Sequence, residues 1–274
     1  MLLQSRHRVA KRLSALAVAA VLGAGGASAD AQTGSAAARD LSVNINLLGI
    51  AQLNVDAQAP VSFSNVTEAT AVQNSLPAFD SGGMLLHLST STLLAQAEYS
   101  PGAISASGAE VTVQDLDLSA VSLLGADLIS VSAGLIRSRS AVMGYCLPET
   151  SHAKDGMFDD IAFFNGFDNG NLQTGGIDGT PDPSDVQLGD LHIAILGIEV
   201  PDLPLNPPPN TTIDLNPLGI LGATLILNEQ TTGGDGVHMA SLASNALHLT
   251  LSVADLVTAD VVVAHSEAKL DCTE

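Results

Sequence analysis

The residues of this chain that could do chemistry are two cysteines, a few histidines, one carboxylate in an apolar setting and a run of aspartates and asparagines. Cys146 ends the stretch "RSAVMGYC" and Cys272 ends "HSEAKLDC". Both fall on the apolar face of a strand-like pattern. Two such cysteines in an extracytoplasmic chain most simply form one disulfide. Free buried thiols and a catalytic thiol are the other readings. A catalytic thiol needs a thiolate-stabilising neighbour, whereas Cys272 has Asp271 and Glu274 beside it. A zinc site needs four ligands, and there is no C-x-x-C pair. A Cys146–Cys272 bridge would close a loop of well over 100 residues and constrain the unfolded chain by ~4–5 kcal/mol.

His192, His248 and His265 fall on the polar face of expected strands, and no H-x-H or H-x-x-x-H spacing joins them. No G-x-S-x-G elbow marks a serine nucleophile. Glu229, in "LILNEQTTGGDG", is in phase with Leu225 and Leu227, which places it on the inward face. A buried carboxylate must find donors, and the turn at Gly233–Gly236 offers backbone N–H groups. Glu229 therefore reads first as a structural carboxylate pinning a hairpin. Exposure at a strand end and a catalytic acid are the alternatives.

Asp168, Asn169, Asn171, Asp178, Asp182 and Asp185 supply the oxygen ligands that calcium prefers. Their spacing is not that of an EF-hand, and the same residues are ordinary turn formers. Calcium is thus the one cofactor considered, against turn chemistry alone. This segment, 147–185, also holds Phe158, Phe163, Phe164 and Phe167, four of the six phenylalanines of the chain. Their apolar surface suits docking against the rest of the protein.

Alternating strands must position these groups. "LSVNINL" sets Leu41, Val43, Ile45 and Leu47 against Ser42, Asn44 and Asn46. "NALHLTLSV" does the same with Leu247, Leu249, Leu251 and Val253. "VVVAHSEAKLDC" puts Val262, Ala264, Ser266, Ala268, Leu270 and Cys272 on one face. Period-2 alternation marks half-buried strands, and some helix is allowed for only over 90–100. The fold class expected is all-β, an antiparallel β-sandwich of two related lobes, with a β-helix as the alternative. Weak repeats support two lobes: "INLLGI" resembles "IAILGI", and the two stretches ending in cysteine match in phase. The expected divisions are 1–29, 30–146 (first lobe), 147–185 (insert) and 186–274 (second lobe).

Residues 1–29 have the layout of a secretory signal peptide. Arg6, Arg8, Lys11 and Arg12 precede an apolar run, and Ala27-Ser28-Ala29 offers a cleavage site. The expected location is secreted or extracellular, with periplasm or cell surface as variants and no membrane span in the mature chain. The leader carries four of the nine basic residues and none of the 29 acidic ones, so its loss moves the net charge from −20 to about −24. Such a charge repels nucleic acid and anionic lipid. The absence of Trp and the presence of only two Tyr weigh against a carbohydrate cleft.

"GIEVPDLPLNPPPNTTIDLNPLGILGATLILNEQ", followed by "NALHLTL" and "ADVVVAHSEAKLDC", resembles the bacterial choice-of-anchor P family. The features that carry the resemblance are Pro-x-Pro-Asn before a strand, Leu-Asn-Glu-Gln, Asn-Ala-Leu-His, and Asp-Val-Val-Val-x-x-Ser in a last strand ending in Cys. The resemblance implies a secreted or surface protein and brings no catalytic residues; this chain shows no recognisable anchor. With no catalytic constellation in view, the expected function is a non-enzymatic surface or matrix-type protein that binds an unidentified surface or matrix component. A secreted hydrolase using carboxylates, with or without a metal, is the alternative.

Overall fold

The computed structural model describes residues 32–47, 51–55, 59–82, 86–101, 105–123, 126–144, 186–234, 239–253 and 257–272. The leader, the Asp/Asn- and Phe-rich insert and Cys146 lie outside them. The described chain is a run of strands: β1 (Gln32–Leu47), β2 (Ala51–Val55), β3 (Val61–Val66), β4 (Thr70–Gly82), β5 (Leu86–Ser100), β6 (Ser105–Leu123), β7 (Ala126–Gly144), β8 (Val186–Gly189), β9 (His192–Ile195), β10 (Ile198–Glu199), β11 (Thr211–Ile213), β12 (Ala223–Gly234), β13 (Met239–Val253) and β14 (Val257–Cys272). Among the described residues one 3-10 turn, at Asn216–Leu218, interrupts them. No described helix is long and apolar enough to cross a membrane.

Two seven-stranded antiparallel sheets pack face to face, as the alternation predicts for an all-β sandwich. One has the order β11-β12-β13-β14-β1-β2, with β3 also on β1. The other has the order β10-β9-β7-β6-β5-β4, with β8 also on β7. β14 lies across β6 and β7, and β1 lies across β5 and β6. The sheets cut across the boundaries expected for the lobes. β1, β2 and β3 join the sheet of the last four strands, and β8, β9 and β10 join the sheet built mainly from 70–144. The first strand closes the first sheet against the last, with Gln32 opposite Cys272 and Leu47 opposite Val257.

The stretch at 90–100, where helix was allowed for, is part of β5. Leu93, Ala95, Ala97 and Tyr99 are buried in strict alternation, and a period of two cannot present one face of a helix.

The interior is aliphatic, as the scarcity of aromatics requires. One large cluster runs from Leu41, Val43 and Ile45 to Val111, Val131, Ile193 and Leu249. A smaller one gathers Tyr99, Val142, Ala240, Leu242, Ala268 and Leu270. Its one large ring lies on bare backbone, since a Cβ at Gly34 would collide with the Tyr99 ring. A seam of serines also lies between the sheets. Ser138 Oγ donates to the Ser244 carbonyl at 3.1 Å. Ser140 Oγ donates to the Ser266 carbonyl at 3.0 Å. Both hydroxyls lie 2.9 Å from Ser266 Oγ, and Ser107 Oγ donates to the Ser35 carbonyl at 2.7 Å. A side chain as short as serine reaches the opposite backbone only where the sheets approach far closer than the usual ~10 Å.

Candidate functional site

A phase slip in four adjacent strands builds the site. The ladders skip Asn228 in β12, Ala246 in β13, Ala264 in β14 and Asp40 in β1. These four residues are fully buried. Asn228 and Ala264 adopt positive φ, 52° and 54°. Each strand therefore turns two consecutive residues inward, for example Val263 with Ala264 and Asp40 with Leu41. The register is the same on both sides of the slip, so no strand gains a residue on its neighbour as in a β-bulge; all four strands change face together.

Two sequence expectations are corrected by this row. Glu229 does not continue the inward phase of Leu225 and Leu227; the phase slip at Asn228 turns it onto the outer face, one-quarter exposed. Among the described residues it is held by Asn245 and His248; residues 235–238 of the expected turn lie outside them. Val262, expected inside with Ala264, is half-buried on the outer side, while Val261 and Val263 point in.

On the outer face one cross-strand row reads Glu229, Asn245, His265, Arg39. His265 Nδ1 donates to Asn245 Oδ1 at 2.7 Å. Asn245 Nδ2 donates to Glu229 Oε2 at 2.7 Å. The same carboxylate oxygen lies 2.7 Å from His248 Nδ1, and His248 Nε2 lies 3.1 Å from Asp260 Oδ1. With Nδ1 donating, a neutral His265 presents a bare Nε2. That atom is buried without a hydrogen-bond partner, 3.9 Å from the Glu267 carboxylate. Burial lowers the His265 pKa from 6.5 to about 4, with Arg39 helping and Glu229 opposing.

The inward side of the row is polar as well. Asp40 Oδ1 accepts from the Ala59 N–H at 3.2 Å and fixes the chain between β2 and β3. Asn228 Nδ2 donates to the Pro207 carbonyl at 2.8 Å, and Gln230 Nε2 donates to Asn228 Oδ1 at 2.7 Å. The Gln230 N–H donates to Asn210 Oδ1 at 2.9 Å. These bonds clamp the proline-rich segment 201–210 over the edge of β12. The four motifs singled out in the sequence thus meet at one place. Pro207 and Asn210 hold Asn228 and Gln230; Glu229 holds Asn245 and His248; Asp260 and His265 complete the row.

Chemically, this arrangement ties strands together. Both ring nitrogens of His248 are engaged by carboxylates. Beside it, a shallow cleft of about 390 Å³ lies among Ser35, Ala36, Ala37, Ser62, Phe63, Ser64 and Glu267. It offers serine hydroxyls and one carboxylate.

Among the described residues no group of three or more His, Cys, Asp and Glu side chains could hold a metal ion. His192 is exposed on β9, 3.4 Å from Glu199, and takes no part in the row. Asp168, Asn169, Asn171, Asp178, Asp182 and Asp185 lie outside the described residues, as do the four insert phenylalanines and the Cys146–Cys272 pairing; Cys272 is placed only as the last residue of β14. Asp40 and Arg39 escaped notice in the sequence, because simple alternation groups Asp40 with the solvent-facing Ser42 and Asn44. The available signal was the doubling of buried positions, which alternation read strand by strand does not contain.

In comparisons with known proteins, no family model matches the chain and no curated protein matches it significantly.

Proposed function

We propose that this chain is a secreted, non-enzymatic surface or matrix-type protein of the choice-of-anchor P kind, with a structural or binding role. One observation carries the reading: the carboxylates and imidazoles gathered on the outer face are spent on one another across strands. Glu229 serves Asn245 and His248, and His248 is held from both sides. A general base needs a free nitrogen or oxygen within reach of a substrate proton. The cleft beside the row, with Ser35, Ser62, Ser64 and Glu267, suits polar contacts to a surface or matrix component. The net charge of −20 turns the reading away from nucleic acid. The acidic segment with Asp168 and Asp178 is where calcium would enter.

A carboxylate-dependent secreted hydrolase is the second reading, favoured by the 2.7 Å Glu229–His248 contact alone. Fractionating producing cells into medium, envelope and cytosol tests the first. The expected result is a chain starting at Asp30 or Gln32 in medium or envelope. A full-length chain starting at Met1 in the cytosol overturns it.

A further inference from the structure

The edges of the two sheets are treated differently. β11 is three residues long and β10 two. β2 and β3 have five and six, and Asn65 in β3 is kinked at φ 52°. The proline-rich segment covers β8 and β12, through Leu188 N–H to the Leu205 carbonyl at 3.0 Å and through Asn210 N–H to the Asn228 carbonyl at 2.7 Å. β4 is the exception. It has 13 residues and pairs with β5 on one side only among the described residues. Edge strands are normally blunted by charge, proline, brevity, a bulge or a cover; Pro77 is such a device in β4 and lies just beyond the stretch Thr70–Leu76. Between Glu68 and Asp80 the chain carries no charged residue.

Pro77 fixes which groups face outward. It sits in the β4–β5 ladder opposite Thr92, where a residue without an N–H is tolerated only if that position points away from the neighbour. Ala71, Gln73 and Ser75 share its parity, so their N–H and C=O groups face the open edge. All three side chains are exposed. Val72 and Leu76, on the core-facing side, are only partly covered at the margin of the main cluster.

We propose that the Thr70–Leu76 edge of β4 pairs with the same edge of a second copy of this chain, antiparallel about a two-fold axis at Gln73. Ala71 then faces Ser75 of the second copy and Gln73 faces its own counterpart, each pair exchanging both backbone hydrogen bonds. A second copy is favoured by charge. In a chain of net charge −20, self-contact is repulsive except through a neutral surface, and an identical edge is neutral by construction. An antiparallel strand pair is also self-complementary, as a two-fold interface requires. The pairing brings Val72 and Leu76 of each copy to the shared margin and covers them. One strand pair buries less than a standard interface, so the dimer is concentration-dependent. The inference deepens the structural reading above, and its biological setting rests on that reading.

Sedimentation velocity of the mature chain from micromolar to millimolar concentration tests it. The expected result is a monomer–dimer equilibrium that Gln73→Pro and Gln73→Lys each weaken by about ten-fold or more, with unchanged circular dichroism. Gln73→Pro removes an edge donor without touching the β5 ladder; Gln73→Lys keeps the backbone and sets like charges opposite one another. A monomer throughout, or a dimer that persists in the folded lysine variant, overturns the proposal. The assay uses purified protein and is blind to location, so this inference and the functional reading can fail separately.

Discussion

Asp40 and His265 are the two residues where burial and charge are most at odds. Asp40 is fully buried and holds the Ala59 N–H. Asp40→Ala leaves that donor without its carboxylate, which costs about 1–3 kcal/mol; urea unfolding at neutral pH should show the loss. His265 has a pKa lowered to about 4, so the folded protein resists a proton that the unfolded chain accepts near 6.5. Stability therefore falls as pH drops from about 6.5 to about 4, by about 3 kcal/mol in all, and is unaffected by this group above that window. Urea midpoints across the window should show the slope, and His265→Gln should flatten it. At this scale the sequence was partly legible. The polar-face placement of His248 and His265 follows from alternation. The orientation of Glu229 and the burial of Asp40 do not, because both depend on where neighbouring strands slip phase.

At the level of strands, alternation located β1, β13 and β14 because each has one wet face and one dry face. It failed at Val262 for a specific reason: β14 buries Val263 and Ala264 in succession, so the phase of Ala264, Ser266 and Ala268 does not extend back to Val262. An in-register phase slip is a property of four strands together, with Asn228, Ala246, Ala264 and Asp40 in line, and no single strand announces it. The serine seam yields a prediction of its own. Ser140 and Ser266 face each other at 2.9 Å. In the sequence Cys146 lies six residues beyond the first and Cys272 six beyond the second. With that equal spacing, non-reducing peptide mapping of the purified protein should recover Cys146 and Cys272 in one cross-linked species. Recovery of both as free thiols would contradict it.

For the whole molecule, the sandwich was readable from composition and pattern: aliphatic alternation marked the strands, and tight turns favoured hairpins over the β-helix alternative. The partition into lobes at 30–146 and 186–274 was a one-dimensional inference, and sheet membership is not one-dimensional. β1 belongs with β14 because its inward residues Leu41, Val43 and Ile45 complete the core against β5 and β6.

That pairing governs how the protein bears load. Gln32 and Cys272 sit opposite one another at the same end of neighbouring antiparallel strands. A force drawing the two ends of the fold apart acts across the β1–β14 hydrogen bonds one after another, as in opening a zipper. It does not strain them all at once, as sliding two strands lengthwise would. Tension between its two ends thus opens this fold by peeling β1 from β14 rather than by shearing them.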